Sequence, residues 1–422
     1  MIRKLHINNY KSLHELTLDV GRFNVFIGEN GCGKSNLLEA IALAGAAAAD
    51  KLDHEFLASR GIRVTEPKLM RSAFSDESLQ HPIKIGVDFE NLDVVQKYTL
   101  INDNQPYAKW IRLEGVLSEF TTMWMKINEE KKGINKLRAK DIDIVEEINS
   151  QLKSINLEFD NVKKQVLDST ARFFEGNKEN AKNYLESHEK IANNEDKLKN
   201  FIIYSPENTA LRNFYKEGQI EPLGINGEGL LKLLKVIQDK SPEQRQEIHT
   251  SLQLFDWYAE LEIPTNLSAS ENKVTITDRY LTMAFDQRSA NEGFLFVLFY
   301  IALMVSDDTP KIFAIDNIDT SLNPKLCTKL IKELVRLAKK YDKQVFVTTH
   351  NPAILDGIDL GDDEQRLLVV SRKKDSGHTR IKRVELKDKP RSSIKNSKGE
   401  YESLKLSEAF LRGYLGGLPK GF

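Results

Sequence analysis

Cysteine is nearly absent: Cys32 and Cys327 are two thiols in 422 residues, so no disulfide framework is expected and a reducing, cytoplasmic setting is. Charge of one sign is lacking too. With 61 Lys and Arg against 62 Asp and Glu, the net charge of −1 excludes a globally basic nucleic-acid or membrane binder, so any such surface has to be local. Long hydrophobic runs are missing. The longest, Phe294 to Val305, falls short of the about 20 residues that a membrane-spanning helix needs, and no membrane partner is expected. The opening MIRKLHINNYKSL alternates polar and apolar residues and has no secretory h-region. No internal repeat is visible. What is present, 40% hydrophobic and 29% charged residues at a mean hydropathy of −0.43, is the composition of a globular protein. At roughly 150 residues per domain the length predicts two or three domains.

Alternation with period two from Arg3 to Ile27 predicts a strand meander leading into a Gly-rich turn, with a helix from Ser35 to about Ala49. Further strands are expected at Ile83 to Phe89 and Tyr98 to Leu113, broken at Asn102-Asp103-Asn104, giving a mixed sheet. Residues 121–200 are highly charged and carry an apolar stripe (Ile144, Ile148, Leu152, Ile155, Phe159, Val162, Val166), which predicts an inserted helical arm. Short strands are expected at Phe201 to Tyr204, Lys273 to Thr277 and Tyr280 to Phe285, with a helix from Leu230 to Ile237. The last third alternates: helix 294–305, strand 311–315, helix 324–340, strand 344–348 and strand 367–371. Such alternation marks a parallel sheet with crossover helices, hence an α/β fold.

Gly28-Glu-Asn-Gly-Cys-Gly-Lys34-Ser35 fits G-x-x-x-x-G-K-S, preceded by a predicted strand and followed by a helix. Its glycines let the backbone close around phosphates, and the amides with the helix N-terminus supply positive potential. The expected nucleotide cradle is Gly28, Asn30, Gly31, Gly33, Lys34, Ser35 and Asn36, with Lys34 on the β/γ-phosphates of ATP. Mg²⁺ falls to Ser35 and Asp316, the carboxylate ending the apolar strand Lys311-Ile-Phe-Ala-Ile-Asp316. The next buried strand, Val345-Phe-Val-Thr-Thr-His350, delivers a histidine to the same edge, where a γ-phosphate role is expected. Cys32 lies inside the loop, where a helix N-terminus lowers a thiol pKa, although a small tolerated side chain is the plainer reading.

The order of these elements resembles the ABC-type ATPases of the SMC, RecF and OLD group. More closely, Gly293-Phe-Leu-Phe-Val-Leu-Phe-Tyr, Ala314-Ile-Asp-Asn-Ile-Asp319, Leu322-Asn-Pro-Lys325, Thr348-Thr-His-Asn-Pro-Ala-Ile-Leu355 and Leu411-Arg-Gly-Tyr-Leu-Gly-Gly-Leu-Pro419 resemble the PtuA-type ATPase subunits of Septu anti-phage systems. The resemblance implies a two-lobed ATPase head, a mixed sheet around a P-loop with an inserted helical arm. It implies residues 1–120 and 311–422 as the two parts of the ATPase lobe, 121–200 as the arm and 201–310 as the signature lobe. It also implies a homodimer or higher oligomer closing head-to-tail around ATP, and an HNH-type nuclease partner of the PtuB kind.

Two departures bear on turnover. Asn317 stands where the superfamily carries a Glu after the Walker B Asp, and an amide accepts no proton. General-base help is worth roughly 10²–10⁴-fold, so slow hydrolysis is expected unless Asp319 substitutes. The signature segment has two registers, Ser289-Ala-Asn-Glu292 or Asn291-Glu-Gly293, and in either a polar side chain and a helix N-terminus form an anion site for the opposite subunit's γ-phosphate. Gln80 is a weak candidate for the Q-loop. Residues 366–398 hold twelve Lys/Arg against three Asp/Glu, either a nucleic-acid footprint or lysines guarding a sheet edge. The tail predicts a helix N-capped by Ser407, with Phe410, Leu411, Tyr414 and Leu415 on one spacing and Gly416-Gly417 as its stop, docked on its own core or on a partner. The rival expectation is a RecF- or SMC-like repair ATPase turning over on DNA. A transporter ATPase fits the arm and meander poorly, and an OLD nuclease needs a further acidic domain after His350.

Overall fold

The computed structural model describes residues 1–92, 95–105, 108–113, 190–213, 223–264, 273–395 and 401–418. Its first three strands are β1 (Ile2–Tyr10), β2 (Leu13–Asp19) and β3 (Phe23–Ile27). They do not form the single meander expected of them. β1 and β2 join β4 (Ile83–Phe89), β5 (Gln96–Ile101) and β6 (Ile111–Arg112) in a five-stranded sheet of order β2-β1-β4-β5-β6, antiparallel throughout rather than mixed. β3 leaves for a second sheet. The difference is in its side chains: β1 and β2 alternate buried and exposed residues, whereas all five residues of β3 are buried, as a strand covered on both faces requires.

The second sheet adds β7 (Ile203–Tyr204), β11 (Ile312–Ile315), β12 (Gln344–Thr349), β13 (Gln365–Arg372) and β14 (Thr379–Val384), in the order β14-β13-β3-β12-β11-β7. It is parallel except for the edge strand β14. Alternate residues feed two cores. Phe23, Val25, Ile27, Phe313, Ile315, Val345 and Val347 face the helices Leu230–Lys240, Pro242–Leu252, Glu292–Val305 and Pro324–Lys340. Phe26, Ile312, Ala314 and Phe346 face the helix Lys34–Ala48 and the antiparallel sheet. Gln344 clasps the two sheets: its side-chain amide donates to Ile2 O and Gly21 O, both at 2.7 Å, and its Oε1 accepts from Ile2 N at 2.8 Å.

A small three-stranded sheet, β8 (Tyr258–Glu262), β9 (Thr275–Asp278) and β10 (Phe285–Asp286), flanks the helical core, and β15 (Arg391–Lys395) pairs with β16 (Tyr401–Ser403). The strand expected at Tyr280 to Phe285 is confined to β10, and Tyr280, Leu281 and Met283 before it are exposed. Glu292–Val305 is apolar on every side because it is enclosed on every side, every residue from Gly293 to Val305 being buried. The apolar stripe predicted for the arm lies outside the described residues; of 121–200, residues 190–199 are helical.

Candidate nucleotide site

The parallel strands deliver their carboxyl ends to one edge, the usual binding crevice of an open α/β sheet. β3 ends at Ile27, and the loop from Gly28 turns into the helix Lys34–Ala48. Gly33 precedes that helix at φ +107°, a conformation closed to residues with a Cβ, and a Cβ there would also stand 2.3 Å from Thr379 Oγ1 and 2.6 Å from Ser12 Oγ. Gly31, by contrast, faces open space. The loop is anchored from outside: Arg372, at the end of β13, donates to Gly31 O at 3.0 Å, and Thr379 Oγ1 donates to Cys32 O at 2.8 Å. Asn36 donates to Ser12 Oγ at 2.7 Å and accepts from Arg63. Ser12, Thr379 and Arg372 carry no signal in the sequence, since Ser12 reaches the loop from the turn between β1 and β2 and the other two from β14 and β13.

Lys34 lies folded on its own loop, donating to Gly28 O at 2.8 Å and Glu29 O at 3.0 Å. Burial lowers its pKa, opposed by Cys32, Asp316, Asp319 and Glu29. The backbone carbonyls therefore hold an ammonium that a phosphate chain would satisfy better. Burial pushes the Cys32 thiol up despite the nearby Lys34, the reverse of an activated thiolate. A small packed side chain describes it.

Ser35 Oγ donates to Asp316 Oδ2 at 3.0 Å, and Thr348 hydrogen-bonds the other carboxylate oxygen. The pair predicted for Mg²⁺ is thus brought together across β12, and among the described residues no cluster of three His, Cys, Asp or Glu competes with it. Two protein oxygens suit Mg²⁺, which keeps waters and takes its other ligands from phosphates.

Asn317 follows at φ +54°, a left-handed conformation that asparagine tolerates better than most side chains. Its backbone N–H donates to Thr348 Oγ1 at 2.9 Å, and the residue is exposed. A glutamate here would meet backbone strain as well as gain a base. Asp319 accepts from Thr349 Oγ1 at 2.6 Å and His350 N at 3.3 Å, which draws it beneath the predicted γ-phosphate histidine. His350 is held below its usual pKa by burial first and the Lys34 cation second, against the opposing pull of Asp319 and Asp316, which favours the neutral ring.

The signature residues do not converge on this edge as side chains. Asn291 caps Glu292–Val305, its Oδ1 accepting from Phe294 N at 2.8 Å, and Ser289 is exposed. Glu292 is the first residue of that helix and part-buried. Gly293 packs on the turn after Asp316, where a Cβ would meet Ser321 O at 3.0 Å. Gln80 lies exposed in a turn, its N–H donating to Glu77 O, with no tie to the loop. The basic stretch 366–398 divides: β13 is largely buried, and Arg380 and Lys382 are exposed on edge strand β14, where charge blunts pairing. The tail docks on its own core. Its helix is Leu406–Leu411, N-capped by Lys405 and not by Ser407, which instead grips Asp356 through its N–H at 3.0 Å and its hydroxyl at 2.6 Å.

A family model described as "AAA domain, putative AbiEii toxin, Type IV TA system" matches residues 23–356, from the start of β3 to past His350. The chain belongs to this AAA-domain family. No curated protein sequence matches it. Among solved structures, this AAA-domain protein is similar to the Smc head bound to the C-winged helix domain of ScpA, at 13% identity and TM-score 0.51, covering 92% of this chain and 98% of that one. The Smc head with an extended coiled coil bound to the C-terminal domain of ScpA from Pyrococcus furiosus matches at 12% identity and TM-score 0.47, with 92% and 96% covered. At such identities the likeness concerns the fold: an ABC-type, SMC-head-like ATPase architecture.

Proposed function

We propose that this chain is an ATP-binding, slowly hydrolysing subunit that dimerises around Mg²⁺–ATP and controls an associated HNH-type nuclease in cytoplasmic anti-phage defence. The observation carrying this reading is the contrast at the end of β11: Ser35 and Asp316 are joined at 3.0 Å, while Asn317 beside them offers no carboxylate. Nucleotide is retained and turnover is slow, which suits a sensor, since an occupied state that lasts can bias a bound partner by its differential affinity for the two states. Lys34, Ser35, the loop amides and Asp316 would hold the nucleotide and its cation. Ser289 and Asn291, exposed at a helix N-terminus, would meet the triphosphate of the facing subunit. The PtuA-type resemblance supplies the nuclease, and the toxin–antitoxin description of the family agrees with a defence role.

The test is DNA cleavage by the co-purified complex across physiological ATP concentrations, with Lys34→Ala as the reference of weakened nucleotide binding. ATP is expected to restrain cutting. Identical cleavage at every ATP level and in Lys34→Ala would sink the regulatory reading. The SMC-head architecture favours one rival, a repair ATPase, which a chain purifying alone with strong DNA-stimulated hydrolysis would establish.

A further inference from the structure

Beside the nucleotide edge, a groove of about 850 Å³ runs between the first half of Pro324–Lys340, the turn after His350 and the tail helix. Five lysines line it: Lys325, Lys329, Lys332, Lys389 and Lys405. The first three recur at i, i+4 and i+7, one face of the helix. Among the described residues the lysine-rich rim has one carboxylate contact, Lys329 with Asp256 at 4.0 Å. Asp356, the single acidic residue among the described lining residues, already accepts two hydrogen bonds from Ser407. The N-terminal end of Pro324–Lys340 adds the positive end of a helix dipole. Beneath the ammonium groups the floor is apolar, formed by Ala353, Ile358 and Leu406, and Leu411 stands 63% exposed at its margin.

We propose that this groove docks an acidic amphipathic helix of a partner protein, its leucine-type face on the floor and its carboxylates against the lysine rim. Charge complementarity selects the sign of the occupant: a chain of net charge −1 has set five lysines against one carboxylate among the described residues of a single concavity. The floor selects its class. Among the described residues no arginine lines the groove to fork a phosphate and no aromatic ring lines it to stack a base, the two devices by which proteins hold nucleic acid. Lysine carries a long apolar stem beneath its charged head, so a groove rimmed by lysines can cover the apolar face of a helix and meet its carboxylates at once. The inference stands apart from the proposed nuclease control, since it names the partner's surface and not its activity.

The groove borders the nucleotide site along one wall, and the chain beyond the tail helix returns to the phosphate loop. Asn351 and Pro352, which follow His350, line one wall. Behind the tail helix, a Cβ on Gly417 would stand 2.5 Å from Val369 Cγ1 and 3.8 Å from Gly28 Cα, the first glycine of the phosphate loop.

The experiment is fluorescence anisotropy on the full chain with a labelled synthetic helix of Glu and Leu in amphipathic order. A Lys-for-Glu version and a single-stranded oligonucleotide serve as controls. The acidic helix is expected to bind, the basic one not, and the double variant Lys329→Glu/Lys332→Glu to weaken binding at least tenfold. Leu411→Asp, on the exposed margin, is expected to weaken it severalfold. ATP binding by both variants reports that they are folded. Equal affinity of wild type and double variant, absence of binding by the acidic helix, or tighter lysine-dependent binding of the oligonucleotide would each overturn the proposal.

Discussion

The two polar edges of the head, the phosphate loop and the N-terminus of Glu292–Val305, are built in opposite ways. Around the loop the functional side chains are held: Lys34 by its own loop through Gly28 and Glu29, Ser35 by Asp316, Asp319 by Thr349. At the signature end the ties fall on the backbone and on Gln287, with Arg212 donating to Gln287 O and Arg288 O, while the Ser289 side chain stays exposed; the far end of the same helix is latched by the buried Lys343, which donates to Ser306 O at 2.8 Å and Thr309 O at 3.0 Å. One edge is finished within the chain. The other is rigidly positioned and left without a task in its own protomer, which is the physical ground for assigning it to a facing copy.

That contrast breaks first, and most visibly, at Asn317. Asn317→Glu is expected to raise steady-state ATP turnover by about 10²-fold, the lower end of general-base assistance. It should also cost roughly 1–2 kcal/mol of stability, because glutamate enters a left-handed conformation. Phosphate release and urea unfolding measured together separate the two; unchanged turnover in a folded variant would hand the base to Asp319. Next in size, Lys34→Ala should weaken ATP about 30-fold, for roughly 2 kcal/mol of lost charge-assisted hydrogen bonding, by calorimetric titration. Ser289→Asp should leave that monomer affinity within about twofold while abolishing ATP-dependent self-association in light scattering. It replaces the more obvious Gly293→Asp, whose side chain would press on Ser321 O.

Smaller still, Asn291→Ala should cost about 1 kcal/mol, the ordinary loss of an N-cap, read by urea unfolding. If it instead removes dimerisation without loss of stability, the amide works across the interface. The smallest effect is a titration. His350 is depressed by burial and by Lys34, so its neutral form is favoured in the folded state. The resulting stability is present above the unfolded value near 6.5 and lost as pH falls below it. Lys34→Met should move the His350 midpoint upward in an NMR titration, while burial still holds it below the ordinary histidine range.

What could be read from the sequence follows range. The phosphate loop, Asp316 and His350 sit at ends of short apolar strands, so local pattern and spacing place them, and Pro324–Lys340 falls where its periodicity puts it. Asn317 was visible as a departure, but its positive φ was not, since it arises from the hydrogen bond to Thr348 on a neighbouring strand. Period-two alternation located β3 and misassigned its sheet, because alternation reports exposure and says nothing of which neighbour a strand joins. The anchors Ser12, Thr379 and Arg372 are ordinary polar residues in sequence and acquire their work only when the turn between β1 and β2, β13 and β14 close on the loop.

The pairing of β3 sets a timetable for the protein's birth. Asn24 on β3 bonds Val345 on β12, 321 residues further along the chain. At ribosomal speeds of about 5–20 residues per second, that interval lasts roughly 15–60 s. Throughout it, the strand that carries the phosphate loop has neither of its neighbours, and its apolar faces must be sheltered by the antiparallel sheet or by chaperones. The nucleotide site is therefore among the last parts of the molecule to exist, and a chain interrupted before β12 emerges already incapable of holding ATP.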